Sequence, residues 1–361
     1  MSKIINIPKL RFKEFSGVWE DKLIGQILTV GSGKDYKHLS NGDIPVYGTG
    51  GYMLSVNDYL YDGESVGIGR KGTIDKPIFL TGKFWTVDTL FYTHSFKNSV
   101  PKFIYSIFQR INWKLYNEAS GVPSLSKSTI EKIKIFIPSK HEQEKIASFL
   151  TSVDTKIEQL TKKEELLQQY KKGVMQKIFN QEIRFKAEDG SEFCEWEEKK
   201  LDDVLKTVST KLYQIKNSDI LSEGLSKVVD QGQKTIAGYS NDTEKVYSSG
   251  DIIVYGDHTT IVKYIDFDFI VGADGTKLLN TTKDNNLKYM YYNLVFNNIE
   301  AEGYKRHFSI LRSITLQIPS LKEQIKIANF LSSIDSKIEQ VQKQLNFTKE
   351  FKKALLQQMF V

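Results

Sequence analysis

A chain of 361 residues, 40% hydrophobic and 26% charged, has material for two packed cores, and none of its apolar runs is long enough to span a membrane. Its one cysteine, Cys194, excludes an internal disulfide framework and a cysteine-based metal site, which fits a reducing compartment. A net charge of +6 permits a polyanionic partner without proving one.

From the start, Met1 to Leu10 lacks the apolar core of a signal peptide, so a soluble cytoplasmic protein with no membrane partner is expected. Arg11-Phe12-Lys13, Trp19-Glu20 and the residues Lys22, Leu23, Thr29 and Val30 open the first half. The turn-rich run SGKDYKHLSNGD, Ser32 to Asp43, reads as a loop. Gly31-Ser32-Gly33-Lys34 lacks the spacing and the Ser/Thr of a phosphate-binding loop. Gly67 to Gly72 satisfies G-x-G-x-x-G, but a dinucleotide site needs a helix next. An extended run with Pro77 follows instead, so a tight turn presenting Arg70 and Lys71 is expected. KFIYSIF from Lys102 lies toward the end of the module, where one helix is expected, and Ile133, Ile135 and Ile137 alternate as a strand.

That strand runs into Ser139 and Glu142, the S-x-x-E capping box of a new helix. Ile146, Leu150, Val153, Ile157 and Leu160 then step by four and three, the spacing of a coiled-coil seam. With no proline beyond Pro138, the helix can run to Phe179, roughly 60 Å at about 1.5 Å per residue.

The second half repeats the first. Arg184-Phe185-Lys186, Trp196-Glu197, Lys200, Leu201, Thr207 and Val208 reproduce its opening. EGLSKVVDQGQ, Glu223 to Gln233, reads as a loop. SGDIIVYGDHTTI from Ser249 falls on DGESVGIGRKGTI from Asp62, placing Gly250 on Gly63, Gly256 on Gly69 and Ile261 on Ile74. Asp274 falls near Asp88, KYMYYNL from Lys288 on KFIYSIF, and Ile314, Leu316 and Ile318 on the isoleucine strand. From Ile318 to Phe360 the long helix recurs without a gap and with nearly half its residues identical. Ser320 and Glu323 cap it, and Ile327, Leu331, Ile334, Ile338, Val341 and Leu345 form its stripe.

The fold class expected is α+β: two duplicated, β-rich mixed modules, residues 1–137 and 181–318, separated by two long helices, 138–180 and 319–361. The helices would lie antiparallel as a coiled coil, with the modules at opposite ends of a spacer. The tryptophans Trp19, Trp85, Trp113 and Trp196, and Phe149 and Phe330 on the helices, are expected in cores. His38, His94, His141, His258 and His307 are scattered with no metal-binding spacing, Ser124 and Ser126 sit in no nucleophile elbow, and no carboxylate cluster stands out. No catalytic or metal site is expected, and a binding protein is.

The segment IP-x3-EQ-x2-IA-x-FL, at Ile137 to Leu150 and again at Ile318 to Leu331, resembles the specificity subunits of type I DNA restriction–modification systems. The resemblance covers essentially the whole chain. It implies two target-recognition domains, each followed by a helical region, and no catalytic residues. It also implies partners: double-stranded DNA, two methyltransferase subunits that use S-adenosylmethionine on adenine, and restriction subunits that consume ATP. S-adenosylmethionine, ATP and Mg would be bound by those partners and not by this chain. Each recognition domain would read one half of a split, asymmetric target, and the helices would set the gap, somewhat more than one B-DNA turn of about 34–36 Å.

The DNA-contact candidates are loop residues mixing positive charge with aromatic groups: Lys34, Tyr36, Lys37, His38, Arg70, Lys71 and Lys83 in the first half, and Lys234, His258, Lys263, Lys277, Lys305, Arg306 and His307 in the second. Gln143, Lys145, Lys156 and Glu158, with Gln324, Lys326, Lys337 and Glu339, are candidates for docking two copies of one partner; duplication alone would also preserve helix pairing. Two other readings stay open: a scaffold whose modules grip proteins, and a stand-alone nuclease or methyltransferase, which would have to be active without partners.

Overall fold

The computed structural model describes residues 6–272, 274–303 and 305–361, and the chain divides into two units: residues 1–162 with 342–361, and residues 163–341. Met1 to Ile5, where a signal sequence would begin, lie outside the described residues.

In the first unit, strands Thr29–Ser32, Leu90–His94, Ser65–Gly69 and Ile78–Leu80 lie side by side in that order, each pair antiparallel. A second sheet runs Gly51–Val56, Asn41–Gly48, Lys83–Thr86, Tyr61–Asp62, and its central pair is parallel. The helix Pro101–Arg110 starts at a proline, whose fixed φ suits the first helical position. It buries Phe103, Ile104, Ile107 and Phe108. Glu20–Leu23 pairs antiparallel with Lys134–Ile137, so entry to and exit from the module meet at the foot of the first long helix, Lys140–Phe179.

The second unit repeats this plan. Strands Leu205–Val208, Thr276–Thr281, Ile252–Gly256 and Val262–Ile265 form the antiparallel sheet. Its mixed sheet, Gln214–Ile215, Ile270–Gly272, Ser226–Val229, Gly238–Ser240, differs at one edge. There a strand parallel to Ile270–Gly272 replaces the antiparallel Tyr61–Asp62 of the first unit. Ser226–Val229 lies inside the run expected to be a loop; neighbours on both sides hold it as a strand, a long-range constraint that local turn residues do not reveal. The helix Leu287–Phe296 is capped by Asn286, whose side chain accepts the Tyr289 N–H at 2.9 Å. Glu197–Lys200 pairs with Thr315–Ile318 and leads into the second long helix, Leu321–Gln358.

Along these helices Ile146, Leu150, Val153, Leu160, Ile327, Leu331, Ile334, Val341 and Leu345 are buried, as their spacing predicts. In the first unit Asp154 meets Lys352 at 2.6 Å, and in the second Lys171 meets Asp335 at 2.5 Å. Within each unit a tryptophan joins the start of one helix to the end of the other, Trp19 bonding Glu142 and meeting Phe360, Trp196 bonding Glu323 and meeting Phe179, so the paired segments of each unit run antiparallel. The end of each helix completes a module core. Phe360 stacks on Phe103 at 5.3 Å and meets Trp19 edge-on, while Phe179 stacks on Phe296 at 5.1 Å and meets Trp196 edge-on. All four tryptophans are buried, and Phe149 and Phe330 pack edge-on against Phe12 and Phe185.

The capping boxes are half formed. Ser139 Oγ and Ser320 Oγ accept the N–H groups of Glu142 and Glu323 at 3.4 Å, but the glutamates do not turn back to the caps. Glu142, 2% exposed, takes two Arg11 hydrogen bonds of 2.8 Å and the Trp19 Nε1–H. Glu323 does the same with Arg184 and Trp196. A guanidinium offers a buried carboxylate a better partner than one backbone N–H, so these glutamates tie the N-terminal arm of each module to its helix.

Candidate nucleic-acid interface

In the first unit the interface is built on the turn after Ser65–Gly69. A Cβ on Gly69 would lie 2.0 Å from the Thr73 carbonyl oxygen, so only glycine lets the chain double back there. The extended run beyond it contains no helix, which removes the dinucleotide reading. Arg70 N–H donates to Thr89 O at 2.8 Å, and Arg70 O accepts from Leu125 N–H at 2.8 Å. Lys71 bridges to Ser124. Both basic side chains are exposed, with the Arg70 guanidinium 5.9 Å from the centre of the Phe91 ring. They line a cleft of about 650 Å³ together with Ser32, Glu118 and Lys127. Hydrogen bonds from Thr129 and Ser126 hold the Glu118 carboxyl below the usual carboxylate range. Glu118 therefore stays anionic and fixes the far wall.

Lys34 joins this surface through its N–H to Thr86 O, 2.9 Å, and its carbonyl, which accepts Trp85 Nε1–H at 2.9 Å. His38 sits edge-on to Trp85, Tyr36 is half-buried in the same cluster and Lys37 is exposed. Lys83 stands at the other end of strand Lys83–Thr86, over the Tyr59 ring, and is not part of the group.

The second unit carries the same turn with different chemistry. A Cβ on Gly256 would meet Thr259 Oγ1 at 2.1 Å. Asp257 stands where Arg70 does, donating its N–H to Gly275 O at 2.7 Å and accepting His307 N–H at 2.8 Å. It is 2% exposed, accepts the Phe308 N–H at 2.9 Å and lies 3.7 Å from Lys277 Nζ. His258 receives support from Gln231 Oε1 and from Lys305 O, each at 3.1 Å.

Two of the DNA-facing candidates here need correction. Lys263 is buried and spends its ammonium on Asp230 O at 2.7 Å and Lys234 O at 2.6 Å; that burial lowers its pKa against the pull of Asp230. His307 is 1% exposed, its Nε2 accepting the Glu302 N–H and its Nδ1 facing Asp257 O. Both therefore brace the loops and do not face solvent. Lys234, Lys305 and Arg306 are exposed, and Lys305 is paired with Glu302. Asp257, Gln231 and Glu118 were absent from the expected set, although the alignment that puts Asp257 on Arg70 already marked that position.

The expected docking flanks divide similarly. Gln143 and Gln324 are buried. Gln143 accepts Val100 N–H and donates to Asn98 O and Pro138 O, and Gln324 bonds Asn286 N–H, Asn285 and Pro319 O in the same pattern. An internal polar clamp saturated in this way offers nothing to a partner, which corrects that expectation. Lys145 pairs with Glu14, and Lys326 donates to Lys186 O. Lys156, Glu158, Lys337 and Glu339 are exposed on the helices. Among the described residues no group of three or more His, Cys, Asp or Glu is placed to hold a metal ion, and no helix is long and apolar enough to cross a membrane.

Comparison with known proteins places this architecture. The type I restriction modification DNA specificity domain matches residues 17–168 and again 194–347. The chain is 26% identical over 349 residues to the type I restriction enzyme MjaVIII specificity subunit of Methanocaldococcus jannaschii, covering 84% of this chain and 78% of that one. It is 27% identical over 281 residues to the putative MjaX specificity subunit of the same organism, covering 70% and 63%. Its fold is that of the type I restriction–modification S subunit from M. genitalium, with a TM-score of 0.70, 15% identity and 98% and 99% of the two chains covered. With the doubled domain spanning most of its length, the chain belongs to the type I restriction modification DNA specificity family.

Proposed function

We propose that each unit reads one half of a split, asymmetric double-stranded DNA target. The observation that carries this is the turn after Gly69 and Gly256: one scaffold, held by matching backbone bonds, presents Arg70 in one unit, while in the other a buried, lysine-anchored Asp257 fixes the loop that carries half-buried His258. Arginine suits the O6 and N7 acceptors of guanine, and a carboxylate-ordered amide and imidazole surface suits a different edge. Unlike heads on like scaffolds give unlike half-sites.

The chain itself would carry no catalytic step. Two methyltransferase subunits would dock on equivalent helix faces that include Lys156, Glu158, Lys337 and Glu339. Leu166 and Tyr170 on the first helix, and Phe347 and Phe351 at the equivalent positions of the second, are exposed as two matching apolar pairs. Restriction subunits complete the assembly; S-adenosylmethionine, ATP and Mg belong to those partners, and the complex works in the cytoplasm.

The test is Arg70→Ala, assayed against randomised duplexes. Preference should fall at one half-site only, by about 1–3 kcal/mol, the worth of one bidentate base contact. Unchanged preference at both, or a loss at both, refutes the assignment.

A further inference from the structure

A second surface in the first unit gathers positive charge. The end of helix Pro101–Arg110, the run Asp75–Pro77 and the last turns of the second long helix enclose a crevice of about 630 Å³. Its walls carry five cations, Lys76, Arg110, Lys349, Lys352 and Lys353, against one carboxylate, Asp75. That carboxylate is occupied by Lys114 at 3.1 Å, and Lys352 is held by Asp154. Lys353 lies 3.8 Å from Glu350, while Lys76, Lys349 and Arg110 make no salt bridge among the described residues. Arg110 is fixed over the Phe360 ring, with Nη1 donating to Val361 O at 3.1 Å.

The duplication supplies its own control. The equivalent crevice of the second unit, about 650 Å³, is made by the matching turns of the first long helix with Val295 and Phe296 in place of Gln109 and Arg110. Gln168 replaces Lys349 there; Lys171, held by Asp335 as Lys352 is by Asp154, and Lys172 remain on a largely apolar wall. Packing alone therefore asks for neither Arg110 nor Lys349 at this place in the fold.

We infer that the first unit's crevice grips the duplex backbone beside its half-site. This rests on the DNA reading proposed above and adds a one-sided, sequence-independent hold to it. Continuity with the reading surface supports it: Lys76 follows Arg70 by six residues, at most about 20 Å of extended chain. Asp75 is tied by Lys114 to the turn that leads to Glu118. Backbone grips of this kind fix register without reading bases.

The experiment uses the full chain and a random-sequence duplex, with affinity measured from about 50 to 200 mM salt. K76A/K349A/K353A removes three exposed cations that belong neither to a core nor to the reading turn. It should flatten the plot of log affinity against log salt by about 2–3, at close to 0.9 for each phosphate no longer neutralised. Lys172→Ala in the second crevice should leave the slope unchanged. An unaltered slope in the triple variant overturns the inference, and it does so even if the variant loses assembly with partner subunits, which would mark the crevice as a site for an acidic protein surface. A wild-type chain that binds no duplex refutes the DNA reading itself; wild-type binding with an unchanged variant slope refutes only the crevice.

Discussion

Arg11→Ala isolates the device that fixes a recognition module to its long helix. Glu142 is 2% exposed and Arg11 13%, so the substitution strands a carboxylate in a site from which water is nearly excluded. Breaking a buried pair by removing one partner costs about 3–5 kcal/mol. Trp19 Nε1–H stays in place at 3.4 Å, which sets the expectation at the lower end, about 3 kcal/mol. For a unit of this size that corresponds to a drop of about 6–12 °C in melting temperature. Because the chain has two units, calorimetry should resolve two transitions, and only the first unit's should move. Arg184→Ala should lower the other transition, since Glu323 is fully buried. Arg11→Ala combined with Glu142→Ala should recover much of the loss, because no charge is then left unpaired. A destabilisation under about 1 kcal/mol, or a double variant as damaged as the sum of its singles, would show that the buried pair does not hold the module in place.

Other outcomes follow from the same geometry. Gly69→Ala drives a Cβ to 2.0 Å from a backbone oxygen, so it should abolish preference at one half-site while the second unit, tested by Gly256→Ala, keeps its own; duplex binding reads both. Phe360→Ala should lower the first unit's stability by about 3–5 kcal/mol, and Phe179→Ala the second unit's. Burial pushes the hydroxyls of Tyr255 and Tyr291 up to about 12 and raises Tyr289 and Tyr292 as well. The folded state keeps those protons longer than the unfolded chain, so stability is intact below pH 10 and falls as pH rises from there toward 12. The second unit should be lost with the rise of tyrosinate absorbance. Removing one heptad from each long helix in register, about 10.5 Å, should narrow the gap between half-sites by about three base pairs.

The doubled plan, the buried helix stripes and the buried tryptophans were legible because periodicity and repetition are local signals that packing only confirms. The partner of Glu142 was not: S-x-x-E names a cap, and nothing in it says that Arg11, 131 residues away, will take the carboxylate. Lys263 and His307 read as basic loop residues because sequence shows charge and hides burial; their carbonyl and backbone partners come from chain segments brought together only by the fold. Gln143 and Gln324 recur in both halves because each half needs the same internal clamp, and recurrence does not separate that need from docking. The mixed-sheet edge, where Gln214–Ile215 replaces Tyr61–Asp62, lies beyond any pattern two residues long.

The sharpest experiment is to co-express the chain with candidate methyltransferase subunits and map methylated adenines across a genome. Two unlike half-sites separated by a fixed number of unspecified base pairs are the predicted result. A contiguous or palindromic motif would mean that the two divergent heads on one duplicated frame do not each read their own half.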